Sequence, residues 1–157
     1  MRTSIKILAV LGLVAVGIQF FPASRTASAT PFGPSDITVL YPTPPEVKTI
    51  LAKSCYDCHS DNARYPWYAR VQPVGWWMQY HIDEGRRELN FSQFGTYAPK
   101  RALHKLDEVV KETKAGSMPL TSYLLTHRDA KLSALEIEQL VAWADGIRAH
   151  IPAPAAP

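Results

Sequence analysis

Cysteine is scarce. The 157 residues hold two, and both lie in one segment, Cys55-Tyr56-Asp57-Cys58-His59. A disulfide scaffold is thereby excluded, because a bridge between residues three apart closes a tiny loop and restricts the unfolded chain little. A structural zinc site usually takes two separated ligand pairs, and no second pair at normal spacing is present. The strand–helix context of a thioredoxin-like redox pair is missing too. No strand pattern matches the helical ones in quality, and there is no internal repeat. An excess of one charge is also lacking beyond the amino-terminal stretch. Arg2, Lys6 and Arg25 account for three of the 17 basic residues, and the remaining 14 balance 14 acidic ones. Nucleic-acid binding has no support in that balance.

The length suits one domain. Its first residues look like an address. Arg2 and Lys6 make a positive start, Ile7 to Phe21 is an apolar run, and Ala27-Ser28-Ala29 offers a small-x-small cleavage site. These are the parts of a secretory signal peptide. The run is short for a membrane span, which needs about 20 residues. Residues 1–29 are therefore expected to be removed after Ala29, with an uncleaved membrane anchor as the alternative. Either way, the expected location is periplasmic or otherwise exported, soluble or anchored to the inner membrane. Residues 30–42 belong to a stretch rich in Pro, Ser, Thr and Ala that reads as a linker. The domain is expected over 43–151, with 152–157 a disordered Pro/Ala tail.

Four helices can be argued within 43–151. The first opens at Thr43-Pro44-Pro45-Glu46, with Thr43 as N-cap and Glu46 as the capping-box acid. Val47, Ile50 and Leu51 then form a stripe running into Cys55. The second covers Val74 to Leu89, with Trp76, Trp77, Tyr80 and His81 as its bulky side. The third runs from Pro99 to Lys114 and is stopped by Gly116. The fourth opens on the capping box Ser133-Ala134-Leu135-Glu136, and its apolar face is Leu135, Ile137, Leu140, Val141, Ala144 and Ile147. The expected fold is all-α: a small domain of about four helices, with long loops at 60–73 and 115–132. The apolar core is modest for such loops.

Cys-x-x-Cys-His is the attachment signature of c-type haem. Two thiols add across the two porphyrin vinyl groups to form thioethers, and His59 then offers its imidazole to the iron from the same side. The cofactor implied is one covalent haem c with its iron, and the expected all-α domain is then cytochrome c-like, about four helices around one haem that supplies hydrophobic volume. Methionine opposite histidine is the usual ligation of electron-transfer cytochromes and raises the potential. Met118, stiffened by Pro119, is the first candidate for the sixth ligand; Met78 sits among tryptophans and reads as packing. His81, His104 and His127 are the other candidates. Tyr65, Pro66, Trp67 and Tyr68, with Trp76, Trp77 and Trp143, could wall a haem pocket. Arg64, Arg70, Arg86 and Arg87 could pair with propionates.

Several segments share a pattern with a known family. The run Cys-Tyr-Asp-Cys-His-Ser-Asp-Asn is followed by Tyr65-Pro66-Trp67-Tyr68, Gly85-Arg86, Leu89-Asn90-Phe91-Ser92, Met118-Pro119, Tyr123, His127 and Trp143. In that order they resemble the bacterial haem-binding domain proteins, over roughly 41–147. The resemblance implies a small exported domain, Cys55 and Cys58 as thioether sites, His59 as proximal ligand and Met118 as an axial position. Relatives often keep the apolar segment as an anchor. Three functions follow as expectations. One is single-electron transfer with a redox partner protein that the sequence does not name. Another is a haem peroxidase or gas or redox sensor with an open or displaceable sixth site and a distal acid–base group, for which His104 or His127 could serve. The last is a haem-free binding module in which the cysteines are dispensable.

Overall fold

The computed structural model describes residues 2–25, 27 and 32–152. Of the expected cleavage site, Ser28 and Ala29 lie outside the described residues, as does the tail from 153 onward. The described residues form an all-α chain without strands. The α-helices are α1 (Arg2–Gly17), α2 (Ile37–Leu40), α3 (Pro45–Ser54), α4 (Tyr56–His59), α5 (Val74–Glu88), α6 (Pro99–Lys114), α7 (Thr121–Leu124) and α8 (Ala134–Arg148). Short 3-10 turns lie at Ile18–Phe20, Trp67–Arg70, Phe91–Thr96 and Arg128–Ala130.

The four expected long helices are α3, α5, α6 and α8. Both α3 and α6 pack on α8, and α4 packs on α5. The core between them holds Val47, Ile50, Leu51, Leu106, Leu140, Ala144 and Ile147, closed by Tyr56, Phe91 and Phe94. Helix α6 ends where Gly116 adopts φ +71°, a left-handed conformation that only glycine takes without cost. The Ser133–Glu136 capping box at α8 is complete in both directions.

Several local expectations are corrected. Pro44, not Thr43, is the N-cap of α3, and no side chain caps that end. The Thr43 hydroxyl instead donates to the Tyr41 carbonyl at 2.9 Å and accepts from Trp143 Nε1 at 3.2 Å. Leu135 is 63 % exposed and leaves the apolar face to Leu140, Ala144 and Ile147. The bulky side of α5 is turned outward: its buried positions are Gly75, Gln79 and Ile82, whereas Trp76, Trp77 and Tyr80 are exposed. Close approach is the reason, since a Cβ at Gly75 would lie 2.3 Å from the Ala69 carbonyl oxygen.

The supposed linker also joins the core. Asp36 caps α2 by accepting from Thr38 N at 2.9 Å, and its carboxylate meets Tyr56 OH at 3.2 Å. Asp36 and Ile37 are fully buried. The two long loops are not structureless, because 60–73 holds a 3-10 turn and 115–132 holds α7 and another turn.

Helix α1 and the turn after it form a run, Arg2–Phe20, long and apolar enough to cross a membrane by length and composition; a signal sequence passes the same test.

Candidate functional site

The motif folds because α3 delivers it. The last helical bond of α3 runs from Cys55 N to the Leu51 carbonyl, and the chain then makes one further turn, Tyr56–His59. That turn lies on α5 at Gly85, where a Cβ would stand 2.7 Å from the Cys58 carbonyl oxygen. Glycine there lets two backbones meet, and it brings the motif against a helix some thirty residues away.

His59 is oriented by the segment that follows α5. Its Nδ1 lies 3.0 Å from the Leu89 carbonyl oxygen. A carbonyl only accepts, so Nδ1 carries the proton and Nε2 keeps its lone pair. The ring of Phe91 stands edge-on to the imidazole at 6.5 Å. Burial lowers the His59 pKa, with the Leu89 and Gly85 carbonyls opposing. A neutral imidazole with a free nitrogen is the form that binds a metal.

Cys55 and Cys58 are both free thiols, half-buried. Burial pushes Cys55 up to about 12, with Cys58 adding to it. Burial likewise pushes Cys58 up to about 11, with Asp57 adding and Arg86 offsetting. Redox-active cysteine pairs need the opposite, a depressed thiol pKa. Nor do the described residues contain a group of three or more His, Cys, Asp or Glu placed to hold a metal ion.

Asp57, between the cysteines, is buried and fully partnered. Its Oδ1 accepts from Arg64 N at 3.1 Å and Arg64 Nε at 3.0 Å, and its Oδ2 accepts from Arg64 Nη2 at 3.1 Å and Tyr123 OH at 2.8 Å. Tyr123 stacks on His127 at 4.1 Å. The carboxylate thus ties the loop after the motif and α7 to the motif itself.

Three adjoining cavities surround these groups. One of 170 Å³ is lined by Cys55, Cys58, His59, His81, Glu84, Glu88, Met118 and Tyr123. A second of 490 Å³ continues past Cys58 and His81 to Tyr68, Val74, Trp77, Met78, Leu125 and His127. A third of 260 Å³ lies beyond Cys55 and His59, against Leu89, Phe91, Val109 and, again, Met118. Small-molecule sites typically span about 300–1,000 Å³ with mostly apolar walls. The space and the donor set, two thiols and one preset imidazole, fit a flat apolar macrocycle with a metal at its centre.

The sixth-ligand candidates separate. Met118, half-buried, shares two cavities with His59. His81 shares one, and its Nδ1 lies 2.8 Å from the Trp77 carbonyl, so its Nε2 is free as well. His127 reaches only the second cavity. His104 is set apart, exposed and paired with Glu108 at 3.2 Å. Met78 lines the second cavity rather than the core.

Of the expected pocket walls, Tyr68 and Trp77 line the second cavity. Trp67 is 77 % exposed, and Trp143 belongs to the main core. Arg64 is engaged by Asp57, Arg86 Nε donates to the Ser60 carbonyl at 2.8 Å, and Arg87 pairs with Glu84. Arg70 is exposed. The roles of Asp57, the Leu89 carbonyl and Gly85 escaped the reading of the sequence. Gly85, Leu89 and Tyr123 stood in the family-like pattern without a role, and nothing local marks Asp57 as a clamp.

No match was found among curated proteins or among solved structures. Residues 13–146 match the family model described as a haem-binding domain. With that match over most of its length, the chain belongs to the haem-binding domain family.

Proposed function

We propose that the chain is a mono-haem c-type electron carrier working outside the cytoplasm, in which Cys55 and Cys58 would hold the haem covalently and His59 and Met118 would hold its iron. The orientation of His59 carries this reading: Nδ1 is committed to the Leu89 carbonyl and Nε2 is left for a metal, beside two free thiols. When bound, haem supplies an iron that gains and loses one electron. Cys55 and Cys58 would hold it through thioethers, and His59 and Met118 would hold the iron, with Tyr68, Val74, Trp77 and Phe91 as apolar walls. Export is supported by the apolar helix Arg2–Phe20, with Arg2 and Lys6 at its far end as the positive, cytoplasmic side. The end of that helix and the residue after it pack on the domain through Gln19 and Phe21, which favours a retained anchor over cleavage.

The second reading is a haem sensor or peroxidase. It is favoured by His81, whose free Nε2 faces the same cavity as His59 and would serve as a distal base. The separating experiment is co-expression with a c-type maturation system, followed by absorption spectra of native and denatured protein. Haem that stays attached on denaturation, with the weak far-red band of sulfur-to-iron ligation that is lost in Met118→Leu, is expected of the carrier. Rapid binding of cyanide to the oxidised protein or of carbon monoxide to the reduced protein, unchanged in Met118→Leu, would establish the second reading. No covalent haem under conditions that mature a control cytochrome would overturn both.

A further inference from the structure

Among the described residues, the outward side of α5 is largely uncovered. Trp76, Trp77 and Tyr80 on α5, with Trp67 in the preceding turn and Val71 and Val74 between, form an exposed apolar face. Trp67 is 77 % and Tyr80 61 % exposed. Bulky aromatics clustered in the open usually mark a contact surface.

Two sets of hydrogen bonds say what meets it. Gln19, next to last in the apolar run, pairs with both backbone groups of Gln72: its Oε1 accepts from Gln72 N at 2.9 Å, and its Nε2 donates to Gln72 O at 3.1 Å. Trp76 Nε1 donates to the Phe21 carbonyl at 2.7 Å. The end of Arg2–Phe20 is therefore clamped to the start of α5, with no spacer between. Phe20 and Phe21 are exposed and extend the same face.

We infer that this face lies in the headgroup layer of the bilayer that Arg2–Phe20 crosses, so that the domain is laid on the membrane rather than tethered above it. The inference rests on the retained-anchor reading given above. A helix end at the membrane surface puts whatever is clamped to it within a residue or two of the headgroups. Tryptophan and tyrosine are the side chains that prefer that layer, with an apolar ring facing inward and an N–H or O–H facing water. Val74 and Trp77 also line the larger cavity, so the groove opens along the edge of the docked face.

The chain reports on itself. All four tryptophans lie beyond the apolar run, and three of them, Trp67, Trp76 and Trp77, are on this face, while Trp143 is buried in the core. The full chain is reconstituted in phosphatidylcholine/phosphatidylglycerol vesicles, either plain or brominated in the upper acyl chain. Tryptophan emission is compared between the two, so that quenching by haem cancels. Bromine should remove roughly half of the emission or more. The loss should shrink in a Trp67→Ser/Tyr80→Ser double variant whose circular dichroism is unchanged. Carbonate extraction is run in parallel. Chains that resist extraction but show equal emission in both vesicles would overturn docking while leaving the anchor intact, as a face covered by a second copy would give. Chains that extract freely would overturn the anchor and the docking together.

Discussion

At the residue scale, the site depends on hydrogen bonds that set direction. His59 would be a poor ligand if its tautomer were free to invert; the Leu89 carbonyl removes that freedom. Asp57 works differently. Its carboxylate gathers a guanidinium and a phenol and holds α7, five residues after Met118, against the motif. Burial, then the bond to Asp57, raises the pKa of Tyr123 far above the neutral range, so it acts purely as a donor. Tyr123→Phe should cost about 1.5 kcal/mol, the low end for a hydrogen bond to a charged group, because the carboxylate keeps its other donors. Asp57→Ala should cost more, about 2–3 kcal/mol, because it leaves a half-buried phenol without its acceptor and loses the Arg64 pairing. Thermal melts of the haem-free protein would show the order. Equal losses would mean that the Arg64 pairing adds nothing to the bond from Tyr123, and no loss in Tyr123→Phe would mean that packing alone holds that ring.

At the element scale, the short helices do what the long ones cannot. A four-residue helix has no hydrophobic period to read and is marginal alone, so α2, α4 and α7 exist because the fold holds their ends. That is why 30–42 reads as a linker and 115–132 as a loop, although Asp36 and Ile37 are core and α7 carries Tyr123. The long helices are legible because α6 and α8 carry stop and start chemistry at Gly116 and Ser133. On α5 the period is real but its inward side is misjudged. Bulk suggests the tryptophans, whereas close approach selects Gly75 and Gly85. The contact of α4 with α5 at Gly85 is the joint on which the motif sits. Gly85→Ala should push Cys58 away, lower stability by about 1–3 kcal/mol and reduce the yield of covalent haem per chain. Wild-type yield in that variant, measured by haem absorbance after denaturation, would show that the joint gives way without disturbing the motif.

At the scale of the whole molecule, α3, α6 and α8 supply the core together with Phe91 and Phe94, α5 lies outside it against α4, and the cavities lie between α4, α5 and the 118–127 segment. Loading should therefore order that segment more than the rest. Hydrogen exchange should slow strongly at 118–127 on haem attachment and change little in α6 and α8. Uniform slowing would mean that the core itself depends on the cofactor. The all-α class, the four long helices, and the spacing of two thiols and one imidazole are legible in the order of residues. Those are local properties, written within a few helical turns. The free nitrogen of His59, the cavity that Met118 and His81 share with it while His104 does not, and the outward turn of the α5 tryptophans emerge only once the helices are packed. Each of these depends on atoms tens of residues apart, such as Leu89 against His59 and Gly85 against Cys58. Such contacts follow from how helices close on one another, and no local pattern records that.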